Sequence, residues 1–281
     1  GPTIPPSNMM VIYGSLMGVS IAGLFAAGFI PGLLLGGMLM ILSGYISKKR
    51  AYPKKERRSS VKEMIVAFWD AILALLMPVI ILGGILSGVF TPTEAASIAV
   101  AYAFIVGKFV FKSLKLKDIP GLLEQTARTT GVVFLIIASA SILGWILASE
   151  RVPEQIANMF IQISNNKYII LLMINLLMLI VGMFMDIAAA LVILGPILHP
   201  LAVSIGVPPI QFGIIMVLSL NVALMTPPVG ACLFVVSGIT KLSLEQISKA
   251  IWPFIVIEII TLFAITFIEP ISMFLPRLLG F

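Results

Sequence analysis

Long apolar stretches separated by short polar clusters make up most of the chain. The segments 29–47, 63–90, 91–111 and 131–149 are almost wholly apolar, and at about 1.5 Å per helical residue each is close to the length needed to cross a hydrocarbon core of about 30 Å. The pattern therefore predicts an all-α polytopic membrane protein.

Prolines interrupt two of the apolar regions in the same way. A proline pair is followed later by a single proline, and each proline of the second set lies 222 positions after its counterpart: Pro5, Pro6 and Pro31, then Pro227, Pro228 and Pro253. Two adjacent prolines remove two helix donors, so the helix must unwind. Unwound backbone is tolerated in a membrane only where protein or a cavity surrounds it, and paired breaks of this kind are typical of transporters with an inverted-topology repeat.

Basic residues fix the topology. Seven of the 18 Lys and Arg residues lie in 48–58, and a second group lies in 108–117; both follow apolar stretches, as expected of cytoplasmic loops. Residues 118–130 have apolar and charged sides, which predicts an interfacial amphipathic helix before 131–149 crosses outward. On this path the two proline breaks run in opposite directions across the membrane.

Two apolar arms, 168–183 and 187–200, flank the polar Asp186. At about 24 Å and 21 Å as helices, both are short for a full crossing. We therefore expect a re-entrant helical hairpin with Asp186 at its tip. An acid at this depth is a functional candidate, but it is also a residue that favours helix N-caps.

Composition excludes several classes of protein. Hydrophobic residues make up 60% of the chain and charged residues 11%, against about 25% charged residues in soluble domains. The net charge of +6 comes largely from Lys and Arg residues clustered in the predicted cytoplasmic loops. Because this clustering is a topology signal, we expect no nucleic-acid partner. A single Cys, Cys232, excludes a disulfide framework and a multi-Cys metal site, and a single His, His199, leaves little room for hydrolytic chemistry. The chain contains neither a nucleotide-binding loop nor a nucleophile with a base partner, which argues against an enzyme.

Five segments in order carry a family resemblance: GPTIPPSNMMVIYG, FTPTEAASIAVAYA, ARTTGVVFLIIASASILGWIL, GMFMDIAAALVILGPIL and LMTPPVGACLFVVSGI. They resemble the large membrane (M) subunit of TRAP transporters, the tripartite ATP-independent periplasmic systems. The resemblance implies an elevator-type, sodium-driven importer of organic acids, such as C4-dicarboxylates or sialic acid, in the bacterial inner membrane. It also implies two or more transported Na⁺ ions, a small membrane (Q) subunit and a periplasmic substrate-binding protein as partners.

The resemblance also suggests a domain organisation. Residues 1–47 (first broken helix and the helix after it) and 131–281 (helix, hairpin, second broken helix and last helix) would form the transport domain. Residues 48–60 would be a cytoplasmic basic loop, and 61–130 the scaffold helices with an interfacial arm. Because the chain opens inside the first break, we expect a fragment or a divided subunit that lacks the N-terminal scaffold helices and the first hairpin.

Candidate sodium ligands follow from the same resemblance. They are the carbonyls around Gly1, Ile4 and Pro6 at the first break, and the Thr226 hydroxyl with carbonyls around Met183, Thr226 and Gly230 at the second. Helix geometry adds that the prolines leave the carbonyls of Ala223 and Leu224 without their usual donors.

Candidate substrate contacts are Ser7, Asn8, Asp186 and Arg128. Ser7 and Asn8 begin a helix whose free amides attract a carboxylate, and Arg128 is either a bidentate clamp or an interfacial anchor. For the other embedded acids, Glu258, Asp70 and Glu94, we favour structural roles. Two alternatives for function stay open: a divalent-anion:sodium symporter-like carrier that needs no binding protein, and a passive structural or channel subunit.

Overall fold

The computed structural model describes residues 2–53, 59–227 and 230–281, which form helices and no strands. Within these ranges a π-helical turn (Val106–Val110) and a 3₁₀ turn (Leu116–Asp118) accompany twelve α-helices. The helices are α1 (Asn8–Met17), α2 (Ile21–Lys49), α3 (Val61–Leu86), α4 (Pro92–Ile105), α5 (Ile119–Ser149), α6 (Val152–Ile163), α7 (Lys167–Gly182), α8 (Ile187–Ser204), α9 (Pro209–Met225), α10 (Ala231–Thr240), α11 (Leu244–Phe267) and α12 (Pro270–Leu278).

Six helical segments are long and apolar enough to cross a membrane: α2, α3, α4 with its π-helical turn, the segment 116–147, α8 and α11. The prediction of an all-α, multi-pass membrane protein is therefore confirmed. Helices α1, α7 and α9 are apolar but shorter. The chain forms two compact units: the broken-helix unit (residues 1–42 and 133–281) and the two-helix unit (residues 43–132). Part of the predicted basic loop, 54–58, lies outside the described residues.

The two-helix unit is built on α3 and α4, and capping boxes begin both helices. Ser60 and Glu63 cap α3, and Thr91 and Glu94 cap α4, each side chain accepting from the other residue's backbone amide. The expected structural role of Glu94 is thereby confirmed. Tyr102 on α4 donates a hydrogen bond of 2.6 Å to a carbonyl of α3 and ties the two helices together.

One sequence expectation on helix boundaries is wrong. The predicted interfacial helix ending at Thr130 and the predicted crossing helix starting at Gly131 are one continuous helix, α5. A single Gly costs a helix about 1 kcal/mol relative to Ala, which the flanking helix-forming residues readily offset. The short helix α6, with Pro153 in its first turn, was also not foreseen.

Helix α9 forms the centre of the broken-helix unit. Every residue from Gln211 to Ala223 is buried, because α1, α7, α8, α10, α11 and α12 all pack against it. An apolar helix that is buried on all sides needs no amphipathic pattern. Its few polar side chains, however, must find partners inside the protein.

A buried polar network supplies those partners. Ser219 on α9 donates to Asn175 on α7 at 2.9 Å, and the amide of Asn175 donates to Thr266 on α11 at 3.0 Å. Thr266 in turn donates to Leu262 at 2.8 Å, and Gln211 donates to the carbonyl of Ile265 at 3.2 Å. The network therefore fixes α7 and α11 on α9.

The elements around the two proline breaks match each other. Helices α1 and α10 are both 10 residues long, and their first residues (8 and 231) and last residues (17 and 240) are each 223 positions apart. Each ends at a left-handed residue, Gly18 or Lys241. Ser20 and Ser243 then accept an amide hydrogen bond at the start of the long helices α2 and α11, both of which contain a proline.

The helix offset of 223 exceeds the proline offset of 222. The second copy thus has one more residue between its proline pair and its short helix, and Gly230 stands in that connection. Pro228 itself lies outside the described residues. The opposite membrane orientation of the two copies stays a prediction.

Replacement of Asn175 by Ala tests the buried network. It leaves the Ser219 hydroxyl without its acceptor, so we expect a loss of about 1 kcal/mol of stability, the scale of polar contacts between membrane helices. Thermal unfolding of the detergent-solubilised protein measures this loss. Ser219→Ala should cost much less in the Asn175→Ala background than alone, and additive losses would contradict the network. Asn165→Ala, at an exposed position, is the control.

Candidate ion and substrate site at the helix breaks

The second break begins where α9 ends. Thr226 is 6% exposed, and its hydroxyl donates to the carbonyl of Val222 at 2.7 Å. Because the hydroxyl proton is used within the helix, the lone pairs of Oγ1 remain available to a cation. The backbone amide of Thr226 donates to Ala223 at 3.0 Å. The expectation of an orphan carbonyl at Ala223 is therefore wrong, since the last turn tightens to satisfy it.

Two backbone carbonyls converge on Gly230. A Cβ atom at this position would lie 3.0 Å from the Thr226 oxygen and 3.2 Å from the Leu224 oxygen, and the residue has φ +44°. Glycine is therefore required both by the backbone conformation and by the closeness of the two oxygens. The carbonyl of Gly230 accepts from Leu233 at 2.8 Å, which leaves one of its two lone pairs. The break thus presents several oxygen atoms within a small volume.

The hairpin places Met183 beside this break. Helix α7 ends at Gly182, where an added Cβ would lie only 2.6 Å from the Cβ of Ala223 on α9. The end of α7 that leads into Met183 therefore packs directly on the last turns of α9. The hairpin arm that ends just before Met183 therefore lies against the helix that leads to Thr226 and Gly230.

Asp186 caps the second arm of the hairpin. Its carboxylate accepts the amide of Ala188 at 2.9 Å, and the residue is exposed. The capping role is therefore confirmed, while contact with a substrate stays a prediction. At the other end of the hairpin, Lys167 donates to the carbonyl of Gly206 at 2.8 Å, so the start of α7 and the end of α8 lie together.

The first break packs on α2 through two glycines. A Cβ at Gly28 would lie 2.9 Å from the carbonyl oxygen of Thr3, and one at Gly32 would lie 2.6 Å from the side chain of Ile4. These glycines therefore let the unwound segment approach the helix closely. Pro6 is exposed, and Gly1 lies outside the described residues, so its assignment as a sodium ligand stays untested.

Two buried hydroxyls at the first break have no partner among the described residues. Ser7 is the N-cap residue of α1, yet its side chain makes no capping bond, and its Oγ atom is buried. The Oγ1 atom of Thr3 is buried and unpaired in the same way. Buried hydroxyls normally find partners, so both oxygens are available to a bound ion or substrate. Asn8 is exposed at the start of α1. Sequence reasoning selected Ser7 and Asn8 but missed Thr3, whose only signal was its place beside the proline pair.

Arg128 belongs to the two-helix unit, whereas the other candidates belong to the broken-helix unit. Its guanidinium pairs with Glu124 at 3.3 Å along α5, and both side chains are exposed. A surface pair of this kind contributes little to stability. The substrate clamp therefore stays a prediction, and the pair with Glu124 is the contact that the structure shows.

A contact between α1 and the hairpin was not predicted from the sequence. The Tyr13 hydroxyl lies 2.6 Å from Nδ1 of His199 and donates to the carbonyl of Pro209 at 3.2 Å. Tyr13 is fully buried. Since Tyr13 lies on α1, His199 on α8 and Pro209 at the start of α9, the contact ties the helix after the first break to the hairpin and to the start of α9. The single His of the chain therefore has a structural partner.

Substitution of Gly182 by Ala tests the packing of the hairpin on α9. The new Cβ overlaps that of Ala223, and overpacking of this kind costs about 1–3 kcal/mol. We expect a lower unfolding temperature, restored largely by the second substitution Ala223→Gly. Gly131→Ala, at a helical position with nothing within 4 Å, should be neutral or slightly stabilising. Full stability of Gly182→Ala alone would show that the two helices do not touch here.

Comparison with known proteins agrees with this architecture. Residues 1–271 match the family model described as the DctM component of tripartite ATP-independent periplasmic transporters. The chain is 43% identical over 274 residues to the isethionate TRAP transporter permease protein DctMQ of Oleidesulfovibrio alaskensis, covering 98% of this chain and 43% of that protein. It is 41% identical over 281 residues to the sialic acid TRAP transporter large permease protein SiaM of Vibrio cholerae, covering 99% and 65%.

A third relative has a similar identity and coverage. The C4-dicarboxylate TRAP transporter large permease protein DctM of Pseudomonas aeruginosa is 39% identical over 280 residues, covering 100% of this chain and 65% of that protein. The chain thus spans less than two thirds of the length of these three relatives. All three are transporter permeases and not enzymes, as the sequence predicted. The resemblance found in the sequence is confirmed: the chain belongs to the DctM family, the large membrane component of tripartite ATP-independent periplasmic transporters.

Proposed function

We propose that this chain is the core of the membrane subunit of a secondary transporter that uses an inward sodium gradient to import a small organic acid. The observation that carries the proposal is the second break. There the carbonyls of Leu224 and Thr226 converge on Gly230, the buried hydroxyl of Thr226 lies at the end of α9, and the hairpin arm that leads into Met183 packs on α9.

Sodium suits these ligands on physical grounds. A hard cation takes oxygen ligands, and unwound backbone in transporters supplies them without a dedicated carboxylate cage. The second ion would bind at Met183, Thr226 and Gly230. The first would bind at the carbonyls of Gly1, Ile4 and Pro6. The proposal of two or more transported Na⁺ ions rests on the presence of two breaks, each with one candidate site.

The substrate class follows from the relatives and from helix polarity. The relatives transport isethionate, sialic acid and C4-dicarboxylates according to their names, which adds a sulfonate to the carboxylates expected from the sequence. The N-terminus of α1, with Ser7 and Asn8, offers free amides and partial positive charge to such an anion. Asp186 at the hairpin tip and Arg128 complete the proposed set of substrate contacts.

The proposed mechanism is an elevator. The broken-helix unit holds both proline breaks and the hairpin, and its buried network and central α9 favour movement as one rigid body. The two-helix unit would contribute to the scaffold. The matching elements around the breaks support an inverted-topology repeat, which would let the same site face either side of the membrane in turn.

The proposed setting is the bacterial inner membrane. There the protein would work with a small membrane (Q) subunit and a periplasmic substrate-binding protein, as family membership suggests. A symporter-like carrier without a binding protein and a passive channel are the alternatives. The family match over 271 residues favours the tripartite system over both.

Uptake by proteoliposomes that contain the complete system tests the coupling. We expect substrate accumulation with an inward sodium gradient and the binding protein present, and none with potassium in place of sodium. Equal uptake with potassium would remove the sodium assignment. Uptake that is independent of the binding protein would instead favour the symporter-like alternative.

Thr226→Val tests the second ion site. The change removes one ligand oxygen at nearly constant volume, so the sodium concentration for half-maximal transport should rise about two- to tenfold. Ile4→Val, at the corresponding position of the first break, keeps its backbone carbonyl and should leave that concentration unchanged. If Thr226→Val matched the wild type, the hydroxyl would not be a ligand.

A further inference from the structure

Glu258 is a buried acid that the proposed function does not use. It lies within the membrane-crossing helix α11 and is 6% exposed. Its Oε2 atom is buried and has no hydrogen-bond partner among the described residues. The ion pairs found within the described ranges involve Glu124, Glu245 and Glu269, and none involves Glu258. None of these side-chain ion pairs balances the Glu258 carboxylate, and a buried carboxylate is costly in a membrane protein unless it is protonated or a positive charge compensates it.

Thr261 presents a second oxygen on the same face of α11. Residues at i and i+3 of a helix are neighbours, so the side chains of Glu258 and Thr261 lie side by side. Thr261 is fully buried, and its hydroxyl donates to the carbonyl of Ile257 at 2.8 Å. Its Oγ1 also lies 3.3 Å from the sulfur of Met38 on α2, which shows that this face is turned towards α2. One hydroxyl proton is committed to the helix, and the oxygen lone pairs remain available.

The second break lies near the same acid. Cys232, the second residue of α10, is within electrostatic reach of the Glu258 carboxylate, and α10 packs on α11. Helix α11 thus packs against the helix that follows the second break and touches α2 through Thr261. It is not part of the ligand sets proposed at either break.

We infer that Glu258 and Thr261 supply the side-chain oxygens of an additional sodium site where α11 faces α2. The inference rests on the proposed sodium coupling. A sodium ion there neutralises the buried carboxylate and takes the hard oxygen ligands that it prefers, both of them supplied by α11. Because α11 belongs to the broken-helix unit, the bound ion stabilises that unit.

Sodium-dependent thermal unfolding of the full-length protein with its partner subunit tests this site. The purified complex is titrated with sodium chloride against choline chloride at constant ionic strength. Glu258→Gln keeps the shape and removes the charge, so without sodium it should be at least as stable as the wild type. Its half-saturating sodium concentration should rise roughly tenfold or more. Thr261→Val should shift it in the same direction by a smaller factor.

Glu245→Gln provides the matched control. Glu245 lies on the same helix but is exposed and paired with Lys249, so its sodium response should equal that of the wild type. A wild-type sodium response in Glu258→Gln would overturn the inference, since the carboxylate would then not contribute to sodium binding. A loss of stability in Glu258→Gln that is the same with and without sodium would also overturn it, because the acid would then be paired with another protein group.

Failure of the proposed function has a different signature. In that case the wild-type protein shows no sodium-dependent stabilisation and its transport runs equally well on potassium, and both proposals fall. A wild type that responds to sodium together with an unaffected Glu258→Gln contradicts only the additional site.

Discussion

Polar groups inside a membrane protein must find their partners within the protein, because lipid offers none, and this constraint governs the broken-helix unit. Helix α9 is buried from Gln211 to Ala223, so Ser219 and Gln211 are bonded to α7 and α11. The same helix ends at Met225, and Pro227 prevents it from continuing past Thr226. The polar groups along α9 are therefore hydrogen-bonded to neighbouring helices, whereas oxygen atoms at its end remain available to a ligand.

The unpaired oxygens are concentrated at or near the breaks. Thr3 and Ser7 lie in the first break, and Glu258 lies close to the helix that follows the second. Elsewhere in the described part of the unit, buried side chains such as Asn175 and Thr266 are paired. Since an unpaired buried polar atom is costly, its persistence at these positions favours ligands that bind and leave. This distribution agrees with the proposed transport function, in which bound ions would be released on each cycle.

Close packing at glycines holds the first break against α2 and the hairpin against α9. Gly28 and Gly32 accommodate the first break on α2, and Gly182 brings the hairpin onto α9. In membranes, where the hydrophobic effect adds little between helices, such small residues allow the van der Waals contact that drives association. The oxygens of the second break are consequently held in place by packing contacts that are not themselves part of the proposed ion site.

The sequence by itself determined the all-helical membrane class, both proline breaks, the hairpin with Asp186 between its arms and the family. These features depend on local rules: apolar length, proline geometry and capping preference act over a few neighbouring residues. Only the tertiary structure decided that α5 continues through Gly131, that Ala223 keeps a hydrogen bond, and that Tyr13 meets His199. It also showed that Oγ1 of Thr3 and Oε2 of Glu258 are buried without a hydrogen-bond partner in the described part of the chain. Burial and pairing depend on residues brought from distant parts of the chain, and no local pattern encodes which atoms will lie opposite one another.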